Sequence, residues 1–287
     1  AGQGFSSLPD LRSQVEGLAG HSLHVSPASM GELMARADLA IGAAGTTSWE
    51  RCCLGLPTVM LVLADNQREN ARQLSAAGAA AVVDGRHGDL LEAIAAQLKH
   101  LDGDRAALHD MSLRASAVCD GQGALRARLS LLPRQTTKDG SGVLLRLAEA
   151  DDEATLLRWQ QQPAIRALAR NPKIPTEAEH RVWFAARMTS ESSFITMIVH
   201  GDEVAGMLRL DRLEPADRHE ILEVSIVVDD RHRGVGVGLA ALKQIRAWMP
   251  EVEFRAETLP DNHPSIALFR AAGYRALEGN LLHSTAA

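Results

Sequence analysis

Between Ile226 and Leu242 an apolar run ends at Asp229, Arg233 follows, and glycines recur at 234, 236 and 238. Leu239, Leu242 and Ile245 then restore an apolar helical spacing. The pattern reads as strand, loop and helix. Glycine lets backbone N–H groups converge on an anion without Cβ interference. The helix N-terminus adds the positive end of its dipole. The chemistry implied is the cradling of a diphosphate by the backbone of Gly234, Val235, Gly236, Val237 and Gly238, with Arg233 adding charge. A tight strand-to-helix turn would give the same spacing, so the loop alone is weak evidence.

A second small-residue loop lies at Gly45, Thr46 and Thr47, again between an apolar run and a helical one. Its N–H and hydroxyl groups suit a diphosphate. Glu50, one turn into that helix, could accept ribose hydroxyls. Asn66 and Gln67 sit at the next such junction, where open α/β sheets bind ligands. A helix cap explains Asn66 equally well. Cys52 and Cys53 read as helix core.

These loops must be held by elements. The chain has 287 residues, 46% hydrophobic and 23% charged, enough for two domains with sizeable cores. Strands are expected at 23–25, 39–41, 58–63 and 80–83, with helices near 29–36, 46–55, 66–77 and 87–101. Such alternation means βαβ units and a parallel sheet. A linker is expected at 132–142, where Pro133, Gly140 and Gly142 lie among small polar residues. That gives domains at 1–131 and 143–287. After it come helices near 151–161 and 177–188, strands at 194–199, 204–210 and 222–228, a helix near 238–248, a strand near 253–258 and a helix near 264–272. The second half is thus a mixed α/β domain.

Net charge is −6 and aromatic residues are 3%, which argues against general nucleic-acid binding. No apolar run reaches membrane-span length. Three cysteines without a CxxC make no disulfide framework. A cytoplasmic setting is the simplest expectation. The eleven histidines show no ligand spacing, so no metal site is expected.

Together with Asn262, Ile266, Leu268, Phe269, Gly273 and Tyr274, the loop at Arg233, Gly236 and Gly238 resembles the GCN5-related N-acetyltransferase family. The resemblance implies acetyl-CoA as cofactor, its pyrophosphate in the cradle and acetyl transfer to an amine. It implies a carboxylate base near the end of the preceding strand, Glu223, with Glu220 in reserve. The N–H of Val227 or Val228 would hold the thioester carbonyl. Asn262 bonds the pantetheine arm or caps its helix. Many family members have Tyr where this chain has Phe269, which has no proton to give. A thiol pKa of about 8.5 makes thiolate a tolerable leaving group even so. Ser265, Tyr274, His263 or water remain as acids.

Acceptor selection is expected from Trp159, Arg166, His180, Trp183 and Phe184. Their pattern resembles the branch of the family that acetylates a nucleotide-linked amino sugar on the route to pseudaminic acid. It is partly shared with ribosomal-protein and small-amine acetyltransferases. Helix packing is the alternative for Trp159, Trp183 and Phe184.

The first half resembles the C-terminal domain of GT-B-type nucleotide-sugar enzymes, and most nearly the UDP-sugar hydrolase of the same pathway. The motifs are Gly45 to Thr47, Glu50, residues 64–71 and residues 120–124. The family's catalytic His lies in a preceding domain, and residues 1–4 look like the turn after a first strand. The expectation is therefore a piece of a longer fusion without hydrolase activity, with a UDP-sugar as partner. The alternatives are an acetyltransferase of a protein N-terminus or small amine, and a non-catalytic binding module.

Overall fold

The computed structural model describes residues 4–86, 88–190, 192–213 and 220–284. The chain forms two compact units, divided between Gln122 and Gly123. The expected turn over residues 1–4 falls outside the described residues except for Gly4.

The first unit contains α1 (Leu8–Glu16), α2 (Met30–Ala35), β1 (Ala40–Ala43), α3 (Thr47–Cys53), β2 (Thr58–Val62), α4 (Arg68–Ala76), β3 (Ala81–Asp84), α5 (Leu90–Leu101) and α6 (Arg105–Val118). The strands form a parallel sheet in the order β1-β2-β3. Central β2 is apolar on both faces, as a strand between two helical layers must be. Met60 and Val62 pack with Leu74 and Ala115, while Val59 packs with Val83 and Leu101. The strand expected at 23–25 is irregular instead. Ser26 takes φ 45° and Pro27 follows, so no ladder extends past three residues.

The second unit contains α7 (Gly123–Leu131), β4 (Gln135–Thr136), β5 (Gly142–Leu147), α8 (Glu153–Gln160), α9 (Pro163–Arg166), α10 (Glu177–Met188), β6 (Ser193–His200), β7 (Glu203–Leu213), β8 (Ile221–Val228), α11 (Val237–Trp248), β9 (Glu253–Glu257), α12 (His263–Ala271), β10 (Arg275–Glu278) and β11 (Leu281–Ser284). One sheet runs β10-β11-β9-β8-β7-β6-β5-β4. All its pairings are antiparallel except β8 with β9. Leu208, Leu222 and Phe254 pack with Leu242, Ile245 and Trp248 of α11 in the larger core. Ile195, Met197 and Met207 point the other way, into a smaller core with Trp159 and Phe184.

The residues expected as a linker are part of this unit. Leu129 is buried in its core and Leu132 packs against it. β4 pairs with β5, the Pro133 carbonyl accepts from Gln244 at 3.1 Å, and Lys138 N–H donates to the Val235 carbonyl at 2.9 Å. Polar composition hid a short strand that pairs with β5 over Gln135 and Thr136.

Candidate functional site

β8 and β9 run side by side only over Ile221–Glu253, Leu222–Phe254 and Glu223–Arg255. Beyond Glu223 they part, although β8 continues to Val228 and β9 to Glu257. Their unpaired ends leave a gap in the sheet, and it opens toward the glycine loop. On its other side β8 follows β7 to the end. A Cβ at Gly206 would lie 2.3 Å from the Val227 carbonyl oxygen, so only glycine allows that close approach.

The register decides which amides reach the gap. Asp229 N–H donates to the Ala205 carbonyl at 2.8 Å, Val228 stands opposite Gly206 and Val227 opposite Met207. Antiparallel pairs alternate between bonded and non-bonded. The Val227 N–H is therefore turned into the ladder, and the Val228 N–H faces the gap. Of the two amides expected at a thioester carbonyl, only that of Val228 is so placed.

The loop after β8 has the form of an anion cradle. Gly234 (φ 82°) and Gly236 (φ 101°) take left-handed conformations, and a Cβ on either would meet nothing within 4 Å. Gly236 caps α11, whose first amides have no acceptor within the helix. Gly238 serves packing: a Cβ there would lie 3.0 Å from Leu268 of α12. Val237 is buried and Val235 is half-buried. Arg233 donates from Nε to the Val228 carbonyl at 3.1 Å and pairs with Asp230 at 2.6 Å, so it braces the loop as well as charging it.

Glu223 lies at the last paired position before the gap. Its carboxylate and that of Glu257 are bridged by Arg170, from the segment between α9 and α10. Glu220 is at the closed end of the strand pair, remote from the gap's mouth, and is held by Arg212 at 2.8 Å. Asn262 caps α12 through Oδ1, accepting from Ser265 N–H at 3.2 Å. Phe269 is buried with its ring edge-on to Tyr274, centroids 5.0 Å apart. Burial pushes the Tyr274 phenol far up, with Arg246, near the end of α11 away from the cradle, as its charged neighbour.

In the first unit, Gly45 and Thr46 lead into α3, Thr47 is its first residue, and both threonines are exposed. Asn70 of α4 donates to the Ala44 and Gly45 carbonyls at 3.0 and 3.3 Å and fixes this loop from behind. Glu50 and Asn66 are exposed. Gln67 is engaged internally, its Oε1 accepting the Leu63 N–H at 2.9 Å. Arg51 is buried, donating to the Ala43 carbonyl at 2.8 Å, and burial lowers its pKa.

Residues 143–275 match the family model of the acetyltransferase (GNAT) domain, and residues 10–122 match that of the glycosyltransferase family 28 C-terminal domain. The chain joins a family 28 C-terminal domain to a GNAT domain. No curated protein matches it. Among solved structures, it is similar to a ribosomal-protein alpha-N-acetyltransferase in complex with coenzyme A (18% identity, 53% of this chain and 96% of that one, TM-score 0.46). It is also similar to an aminoglycoside acetyltransferase in complex with coenzyme A and kanamycin (17%, 50% and 94%, 0.44). A third is the spermidine N-acetyltransferase of Vibrio cholerae in complex with coenzyme A and spermine (12%, 49% and 92%, 0.43).

Within the GNAT domain, the residues expected to select the acceptor are mostly packing. Trp159 and His180 are each 1% exposed, and Phe184 is buried beside them. His180 lies between Trp183 and Phe184, ring centroids 5.3 and 6.2 Å away, and burial lowers its pKa. Trp183 is half-buried against the same core. Arg166 turns to the Asn171 carbonyl. The helical spacing of these aromatics served core contact. Three residues at this site escaped sequence reasoning: Arg170, Glu257 and Asp229. Arg170 lies in an irregular loop with no motif around it. Glu257 had a signal, as an acidic residue at the end of the strand beside β8. Asp229 accepts from Trp159 and binds the start of the cradle loop through Arg231.

Among the described residues, no group of three His, Cys, Asp or Glu side chains is placed to hold a metal ion. No described helix is long and apolar enough to cross a membrane.

Proposed function

We propose that the GNAT domain transfers an acetyl group from acetyl-CoA to a primary amine, with Glu223 as base. The observation that carries this reading is the parting of β8 and β9 beside the glycine cradle, with the Val228 N–H turned into the gap. The open space over Gly234 and Gly236 fits a diphosphate that a Cβ would crowd. Bound acetyl-CoA supplies the acyl thioester. The cradle amides and Arg233 hold its pyrophosphate, and the Val228 N–H receives the negative charge that develops on the carbonyl oxygen. Glu223 takes the proton from the acceptor's ammonium, directly or through one water, which frees the nitrogen lone pair to attack. As the C–N bond forms the C–S bond breaks and coenzyme A leaves as the thiolate. The proton that the new amide nitrogen sheds passes to solvent, from which the thiolate is protonated, because Phe269 has no proton to give.

The acceptor we assign is the amine of a UDP-linked dideoxy amino sugar, as in pseudaminic acid biosynthesis. Support comes from the family 28 domain on the same chain, in which Gly45, Thr46 and Thr47 lie between the end of β1 and the start of α3 with Glu50 in its first turn, a strand-to-helix junction of the kind where open α/β sheets bind ligands. A second reading, a small amine or a protein N-terminus, is favoured by the burial of Trp159, His180 and Phe184 and by the two carboxylates at the gap. Thiol release from acetyl-CoA, measured with the UDP-amino sugar and with a peptide α-amine, decides between them. Turnover of the sugar no faster than background, with ready peptide acetylation, would overturn the first. Coenzyme binding with no turnover of any amine would reduce the domain to a binding module.

A further inference from the structure

The carboxylates on the acceptor face of the sheet are neutralised in two ways. Asp211 on β7 is saturated by regular elements: Arg187 of α10 at 2.9 Å, Arg209 of its own strand at 2.7 Å and the Ser193 hydroxyl at 2.6 Å. Glu253 on β9 pairs with Arg255 of the same strand at 2.7 Å. Glu223 and Glu257 differ. They stand on the two strands that part, and their cation comes from a loop. The Arg170 guanidinium touches both.

That loop is tied down at its far end and reaches over the gap at Arg170. Lys173 pairs with Glu179 of α10, and Thr176 with Glu179 forms a capping box at the start of the same helix. The Arg170 side chain remains 63% exposed, whereas that of Glu223 is 17% exposed. A solvated arginine gives up little when it leaves an ion pair. A largely buried carboxylate needs a cation in its place. An incoming alkylammonium is such a cation, of smaller size and with three donors for the same oxygens.

We propose that Arg170 is an internal competitor for the acceptor: its guanidinium occupies the position between Glu223 and Glu257 that the substrate's ammonium takes, and the acceptor binds by displacing it. This rests on the acetyltransferase reading for the identity of the site. The loop arginine then sets acceptor affinity without taking part in bond making. It favours acceptors whose remaining groups bind well enough to push it aside, and it keeps Glu223 paired with a cation until one arrives.

The test uses the full chain, first without and then with coenzyme A, and ethylammonium as probe, followed by ligand-observed NMR titration. Arg170→Gln is expected to tighten ethylammonium about fivefold, the scale of two exposed ion pairs. Arg170→Lys, which keeps a cation in the gap, should stay near the unsubstituted protein. Adding Glu257→Gln to Arg170→Gln should lose the gain. Unchanged or weaker ethylammonium binding by Arg170→Gln, in a protein with an unaltered melting temperature, would overturn the proposal. So would equal tightening by Arg170→Lys. Calorimetry with coenzyme A alone separates the two readings: a chain that fails to bind it defeats the acetyltransferase assignment, while the ethylammonium titration on the same chain still tests the competitor.

Discussion

The indole Nε1 of Trp159 donates a 2.9 Å hydrogen bond to Oδ2 of Asp229, joining α8 to the residue that follows β8. The same carboxylate accepts from Arg231, which holds it well below the usual carboxylate range. Asp229 therefore ties α8 to the junction between β8 and the glycine loop. Replacing it with Ala leaves a buried indole N–H unpaired, at about 1–3 kcal/mol. Asp229→Ala should lower the melting temperature and weaken coenzyme A binding, whereas Asp229→Asn, which can still accept from the indole, should keep most of both. Equal losses in the two variants would show that charge, not the hydrogen bond, does the holding.

Glu223 stands at the last paired position before the gap, and the proposed function makes it the base. General base catalysis contributes about 10²–10⁴-fold in rate. Glu223→Gln should lose activity on that scale while coenzyme A affinity, set at the cradle, stays unchanged. Steady-state rates and calorimetry on the same preparation check it. Retained rate would move the base to Glu257 or to water.

The cradle depends on backbone conformation. Gly236 has φ 101° at the cap of α11. A side chain in left-handed space costs about 1–2 kcal/mol. Gly236→Ala should weaken coenzyme A binding about tenfold, through strain in the loop or its relaxation away from the anion. Titration calorimetry checks it, and an unaltered affinity would remove this loop from coenzyme binding.

The elements around these residues were largely legible. The strand-length apolar run at 58–63 was read correctly as a strand, since Thr58–Val62 pack on both faces of the sheet, and Asn262 before Pro264 announced its helix. The conformation of the glycine loop was legible because glycine spacing is a backbone property, and Gly234 and Gly236 take positive φ. The acceptor side was not. Trp159, His180, Trp183 and Phe184 lie at helical spacing, and that periodicity is the same whether a face meets a ligand or a core. The Arg170 bridge joins residues distant in sequence, and no local pattern encodes the contact. Val227 and Val228 were indistinguishable until the pairing with Gly206 fixed their parity.

His180 supplies a titration that follows from its place in the core. Burial depresses its pKa from 6.5, so the folded protein keeps the ring neutral where the unfolded chain protonates it. Stability rises with pH wherever the unfolded state binds more protons. The contribution of His180 is therefore complete above about pH 6.5 and is lost as pH falls below that value toward the depressed one. Other histidines titrate in the same range, so the difference between two proteins isolates this one. His180→Leu fills the apolar site without a proton to bind. Urea denaturation at pH about 8 and about 5 should show a smaller loss of stability for the variant than for the unsubstituted chain. Equal losses would mean that the ring is charged in the folded core, and its contact with Trp183 would then be a cation over an aromatic face.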